Sequence, residues 1–316
     1  MIGEREIDGF EALTLSFEAG ELQAAFVPAA GMVGCSLRHR GDELLGQRGG
    51  LRNYVAEHST MGIPLLHPWA NRVSKMRFAL DGREVDLDEA GLPLSLDPNG
   101  LPIHGLLAGA SGWRVERHEA VEMGGVLAAS FDFGAREDLV GAFPFPHCIE
   151  VEAKLAGPIL TIETRVTATG DVAVPVSFGY HPYFRLPGVE RSSWWVEIPV
   201  SERVVLDAEE VPSGRMEEAE VPAGPLSSRT FDDEFAAPKG SSPFVLAGGG
   251  RRVEVSFRDG YPYAQVYAPD DDDVIAFEPM TAPTNALVAA GAELELVPPG
   301  ESYRAVFAIT VRDRDG

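Results

Sequence analysis

Glycine and proline interrupt this chain throughout its length, with 34 Gly and 24 Pro among 316 residues. Proline removes a backbone donor and clashes inside a helix, and glycine costs about 1 kcal/mol there relative to alanine, so long helices have little room. Between the breakers, apolar and polar residues alternate with a period of two. Ile149, Val151, Ala153 and Leu155 interleave with Glu150, Glu152 and Lys154. Beyond Gly157-Pro158, Leu160, Ile162, Val166 and Ala168 alternate with Thr161, Glu163, Arg165 and Thr167. The pair reads as an antiparallel hairpin with one solvated face. Val253, Val255 and Phe257 repeat the pattern, as do Tyr303, Ala305, Phe307, Ile309 and Val311 near the end. Many short alternating strands joined by turn residues predict an all-β fold, a large antiparallel β-sandwich. No internal repeat or composition shift marks a boundary, so residues 1–316 read as a single domain. Residues 207–226, rich in Glu and Pro, and residues 239–250, ending in a glycine run, read as surface loops.

Composition narrows the partners. The formal charge is −23, which repels phosphate backbones and anionic lipid, so neither nucleic acid nor a membrane surface is an expected partner. No apolar run approaches the ~20 residues that span a bilayer, and Met1 to Asp8 lack the basic-then-apolar pattern of a signal peptide. Cys35 and Cys148 are too few for a disulfide framework, so a reducing cytoplasm is the expected location.

Several familiar sites are set aside on spacing. There is no glycine-rich nucleotide loop and no His-Glu-x-x-His, and Ser111 in Gly-Ala-Ser-Gly lacks the spacing of a nucleophile elbow. The four aspartates at 270–273 lack the spaced ligands of a calcium loop and read as a solvated turn. The seven histidines never occur in close pairs, so neither zinc nor any other metal is expected. Four segments remain, each mixing aromatic and polar residues at a strand end. They are Gly62-Ile63-Pro64-Leu65-Leu66-His67-Pro68-Trp69-Ala70-Asn71-Arg72, Ile103-His104-Gly105-Leu106-Leu107, Phe178-Gly179-Tyr180-His181-Pro182-Tyr183-Phe184 and Ala276-Phe277-Glu278-Pro279-Met280-Thr281-Ala282-Pro283. Aromatic faces with a few amide, guanidinium, imidazole and carboxylate groups suit a sugar, whose C–H faces stack while its hydroxyls take directed hydrogen bonds.

In order and spacing these segments resemble the aldose 1-epimerase (galactose mutarotase-like) family. The resemblance runs from about residue 26 to the terminal strand and includes Val297-Pro298-Pro299-Gly300-Glu301, similar to the family's Pro-Gly-Glu turn. It implies a large antiparallel sandwich and interconversion of the α and β anomers of a free aldohexose. It further implies His181 as general acid and Glu278 as general base, with Arg72 and His104 holding and polarising the sugar near its ring oxygen. Phe231-Asp232-Asp233-Glu234-Phe235 resembles the segment that supplies a carboxylate to the hydroxyls, making Asp232 the candidate and Asp233 its one-residue alternative. Gln265 resembles a substrate-contacting glutamine. Two departures stand out: His67 replaces a commonly apolar residue, and Leu-Leu-Ala-Gly follows His104-Gly105 where Phe-Ala-Arg is more usual.

The chemistry asks for this equipment and for no cofactor. A hemiacetal opens when a base takes the anomeric proton while an acid protonates the ring oxygen, and the two exchange roles on reclosure. An imidazole of ordinary pKa ~6.5 needs only a modest rise, supplied by nearby carboxylates, to be charged at neutral pH. Two other readings compete. A hexose-6-phosphate 1-epimerase needs convergent cations, for which Lys75, Arg77 and Arg185 lie near the motifs. A non-catalytic carbohydrate-binding protein has no use for both His181 and Glu278.

Overall fold

The computed structural model describes residues 1–18, 21–88, 91–92, 94–238 and 242–313. Its strands build a large antiparallel β-sandwich. The hairpin expected around Gly157-Pro158 is formed by His147–Ala156 and Ile159–Ala168, in register from His147 opposite Ala168 to Ala156 opposite Ile159. Their buried positions fall on alternate residues, as the period-two pattern demands. This hairpin lies inside a nine-stranded sheet that also holds Arg114–Val121, Gly124–Asp132, Ser302–Asp313 and Arg251–Asp259.

An eight-stranded sheet covers the inner face of the nine-stranded one. It runs through Pro212–Glu218, Glu202–Leu206, Phe231–Ala236, Tyr263–Ala268, Ile275–Met280, Gly179–Tyr180 and Leu65–Leu66, with Tyr183–Phe184 also paired to Ile275–Met280. Aromatic contacts fasten the layers: Phe277 stacks on Phe244 at 5.2 Å, and Tyr180 meets Phe307 at 5.0 Å between ring centroids. Where Tyr180 would bury a bare hydroxyl, Thr164 bonds to it at 2.7 Å. A five-stranded sheet near the N-terminus lays Phe10–Phe17 against Gly124–Asp132 and His147–Ala156. No helix among the described residues is long and apolar enough to cross a membrane.

Two segments expected as loops are strands instead. Residues 207–226 contain Pro212–Glu218, at the edge of the eight-stranded sheet, and Val221–Pro225, at the edge of the nine-stranded one. An edge strand pairs on one side only and solvates the other, so it tolerates the proline and glutamate that argue against an interior strand. Residues 239–250 contain the buried strand Phe244–Gly248, while residues 239–241 lie outside the described residues. A short apolar run buried on both faces shows no alternation, which is why its period conceals it.

The topology gathers the motifs. Gly179 pairs with both Met280 and Leu66, and Tyr183 pairs with Ala276, so three of the four segments are neighbours in one sheet. Bridges from His67 to Gly105 and from Arg72 to Ile103 bring in the fourth.

Candidate active site

Register decides which side chains meet. Across Phe231–Ala236, Tyr263–Ala268 and Ile275–Met280, Glu234 opposes Gln265 and Gln265 opposes Glu278. Directly opposed residues of antiparallel strands share a face, and so do residues two apart along a strand. Asp232, Gln265, Tyr267 and Glu278 therefore project to one side of the sheet, away from the core that receives Phe277 and Val266. Asp233 takes the other face and pairs with Arg203 at 3.1 Å. That separation assigns the cleft-facing position to Asp232.

All six candidates, His181, Glu278, Arg72, His104, Asp232 and Gln265, line one cleft of about 560 Å³. At its floor Nε2 of His181 lies 3.1 Å from Oε1 of Glu278, both side chains being buried. The imidazole of His181 stacks on Tyr183 at 4.0 Å and meets His104 edge-on at 5.6 Å. Tyr183 is held by a 2.6 Å bond between its hydroxyl and Thr60. Gln265 donates from Nε2 to Asp232 at 2.6 Å, which fixes the amide and leaves its carbonyl oxygen buried without a hydrogen-bond partner among the described residues. Arg72 donates from Nε to Asp97 at 2.9 Å and from Nη1 to the backbone oxygen of Glu210 at 3.0 Å, and its Nη2 pairs with the Glu210 carboxylate at 2.7 Å.

His104 adopts φ +68° and Gly105 φ +75°. A Cβ at Gly105 would lie 2.2 Å from the carbonyl oxygen of His67, so only glycine lets the two segments touch and turn His104 inward. His67, the residue that departs from the family pattern, is buried with Nε2 2.7 Å from Nε2 of His147. His147 donates its Nδ1 proton to the backbone oxygen of Phe145 at 2.6 Å and stacks on Phe133. Its Nε2 is thereby an acceptor, and His67 is a neutral donor; burial pushes His147 down to about 4. A neutral, partnered imidazole fills a site that an apolar side chain would otherwise occupy.

Electrostatics overturn one expectation. Burial, followed by His104 and Arg48, pushes His181 well below the ordinary imidazole value, so it is not raised by nearby carboxylates. Burial and then Asp232 push Glu278 well above the ordinary carboxylate value, against the pull of Arg72. Burial, Arg72 and Arg48 bring His104 down to about 3, which keeps it neutral. Glu234, deeper on the same face and accepting from the Thr284 amide, is raised by burial to about 7. The desolvation cost of a dry pocket outweighs the charge attraction expected from sequence.

Of the basic residues noted near the motifs, Lys75, Arg77 and Arg185 are exposed and none lines the cleft. Arg48 does, lying 4.8 Å over the Tyr183 ring and 3.5 Å from Asp272 in the run of aspartates. Tyr267 was within reach of sequence reasoning, since it lies two residues past Gln265 and so shares its face. Asp97 reads as a turn residue in Asp-Pro-Asn-Gly, and Arg48 and Glu210 carry no local signal.

The family described as aldose 1-epimerase matches residues 30–310. A galactose mutarotase-like protein from Clostridium acetobutylicum shares the fold with a TM-score of 0.85 at 20% identity, covering 99% of this chain and 98% of that one. A protein from Synechocystis sp. PCC 6803 gives 0.77 at 22% identity, with 96% of each chain covered. Galactose 1-epimerase from Lactobacillus acidophilus NCFM gives 0.77 at 15% identity, covering 99% of this chain and 98% of that one. At these identities the likeness concerns the fold. No curated protein matches the chain.

Proposed function

Because the chain belongs to the aldose 1-epimerase family, we propose that it interconverts the α and β anomers of free aldohexoses by acid–base ring opening and closure. The observation that carries this reading is the buried His181–Glu278 pair, 3.1 Å apart at the floor of a cleft lined by hydrogen-bonding and aromatic groups. The pair shares one proton across its 3.1 Å contact, and the reacting form is the one in which that proton stands on His181. Glu278 takes the proton of the anomeric hydroxyl while His181 delivers one to the ring oxygen, the C1–O5 bond breaks, and an aldehyde forms. After rotation about C1–C2, His181 takes the proton of the C5 hydroxyl and Glu278 returns one to the carbonyl oxygen as the ring closes on either face. Protons and electrons balance, and the protein ends as it began. Arg72 and His104 orient the sugar, while Asp232 and the free carbonyl oxygen of Gln265 receive its hydroxyls. A non-catalytic binder would have no use for a carboxyl and an imidazole held together out of water.

Free sugars are favoured over phosphorylated ones by the balance of charge. Among the described residues lining the cleft, Glu57, Asp97, Glu210, Asp232 and Glu278 oppose only Arg48 and Arg72. A phosphate would meet an excess of carboxylate. Optical rotation of a freshly dissolved pure anomer should relax faster in the presence of the protein, in proportion to its concentration. Unchanged relaxation across a panel of aldohexoses would refute the proposal.

The pH profile follows from the two displacements. With His181 lowered from 6.5 and Glu278 raised from 4.5, the pair holds one proton over a broad range. A second proton binds only below the ordinary imidazole value, and the last one leaves only above the ordinary carboxylate value. kcat/KM should therefore be bell-shaped, its acid limb lying below pH 6.5. An acid limb above that value would show that His181 is a conventional, solvated imidazole.

A further inference from the structure

We infer that Glu210 makes this cleft discriminate by charge, rejecting sugars with an anionic substituent by occupying the guanidinium that would bind them. The inference rests on the sugar-epimerase reading above. A buried guanidinium facing a polar cleft is the natural anchor for a carboxylate or phosphate, because its planar fork of donors matches their oxygens. Here the paired face of the fork is already engaged, and one N–H on each of Nη1 and Nη2 is left over, enough for a sugar hydroxyl but not for bidentate binding of an anion. Nε of Arg72 is spent on Asp97, while Nη1 and Nη2 engage the backbone oxygen and the carboxylate of Glu210.

The latch is built rather than incidental. Glu210 sits in the turn between Glu202–Leu206 and Pro212–Glu218, with φ +60°. Asp207 folds that turn by accepting from the amides of Glu209 and Val211 at 2.9 and 3.1 Å. Asp97 alone would neutralise Arg72, so Glu210 adds a net negative charge at this corner. Asp232 lies close enough to sense both Arg72 and Glu210. An anionic substrate would have to displace Glu210 and then lie between the remaining carboxylates, a repulsive arrangement of the kind that confers specificity. A neutral sugar meets no such barrier, since its hydroxyls can use the carboxylates as acceptors.

The test compares kcat/KM for an aldohexose, the corresponding hexuronate and the hexose 6-phosphate, on the parent protein, Glu210→Gln and Glu209→Gln. The hexuronate introduces charge at C6 with little added bulk, which separates charge from size. Glu209 is exposed and does not line the cleft, so its substitution alters total charge alone. The parent should prefer the neutral sugar. Glu210→Gln should raise the ratio of anion to neutral-sugar kcat/KM by about tenfold or more, a change of about 1.4 kcal/mol, whatever it does to the neutral sugar through the altered hold on Arg72. The gain should shrink at high salt, because the Glu210 side chain is 44% exposed. Glu209→Gln should leave the selectivity unchanged. If Glu210→Gln folds poorly, Glu210→Asn, which suits a left-handed backbone better, serves the same purpose. Equal changes on neutral and anionic sugars, the same gain from Glu209→Gln, or a parent that prefers anions would each overturn the inference while leaving the epimerase reading intact. Failure of the parent to act on any of the three sugars would instead remove the proposed function, and the inference with it.

Discussion

Glu278→Gln and His181→Asn should each lower kcat for anomer exchange by about 10²–10⁴-fold, the usual contribution of general acid–base catalysis. Glutamine keeps the shape of Glu278 but cannot carry a proton from the anomeric oxygen. Asparagine removes the imidazole that lies 3.1 Å from that carboxyl. Because acid and base act in the same step, the double variant should lose far less than the product of the two losses. KM should move much less than kcat, since Arg72, Asp232 and Gln265 remain in the cleft. Loss of activity through unfolding is a separate matter with its own sign. Burial raises the folded-state pKa of Glu278 above its unfolded value, so stability falls as pH rises through that raised value. Glutamine avoids this cost, and Glu278→Gln should melt no lower than the parent at neutral pH. Folded variants that equilibrate anomers at the parental rate would leave the carbohydrate-binding reading in its place.

A large loss of stability should follow substitution of Asp97. Its side chain is 1% exposed and bonds to an Arg72 side chain that is only 5% exposed. Removing one partner of a buried pair leaves an uncompensated charge and typically costs 3–5 kcal/mol. Asp97→Ala should fall near the lower end, about 3 kcal/mol, because Glu210 still holds the other side of Arg72. Asp97 also accepts from the amides of Asn99 and Leu101 at 2.9 and 2.8 Å, closing the turn beside the cleft. Asp97→Asn retains an acceptor for those amides but turns its own NH2 donor toward Nε of Arg72, so it gives up that hydrogen bond with the charge and keeps only the turn. Its loss should still be smaller, on the order of 1.5–3 kcal/mol. In both variants Arg72 loses its inner anchor, and KM for the sugar should rise. Chemical denaturation of the three proteins gives the comparison. Equal stability of Asp97→Ala and the parent would mean that Glu210 alone holds Arg72.

Much of the site was legible because the relevant signals are local. His181 and Glu278 stand in short aromatic-polar segments at strand ends, and the family resemblance supplied their proposed roles. The structure brings both into one cleft with Arg72, His104, Asp232 and Gln265. The charge states are not legible in the same way. Sequence suggests carboxylates near His181, but only the packed structure reveals how thoroughly water is removed and how close Arg48 and His104 approach. Asp232 and Asp233 were indistinguishable for a related reason: either residue is polar, and the pairing of Phe231–Ala236 with Tyr263–Ala268 selects the face.

What the sequence determined by itself was the fold class and the order of the site segments. Backbone propensity and period-two alternation act over a few residues, so they are written where they operate, as in His147–Ala156 and Ile159–Ala168. Tertiary structure alone decided which distant side chains complete the cleft. Arg48, Asp97 and Glu210 come from a residue beside a helix and from two turns separated by more than a hundred positions. Their meeting depends on sheet register and on the desolvation that packing imposes. Neither is a property of any local stretch of chain, because the energy of a buried charge is set by all the groups that surround it.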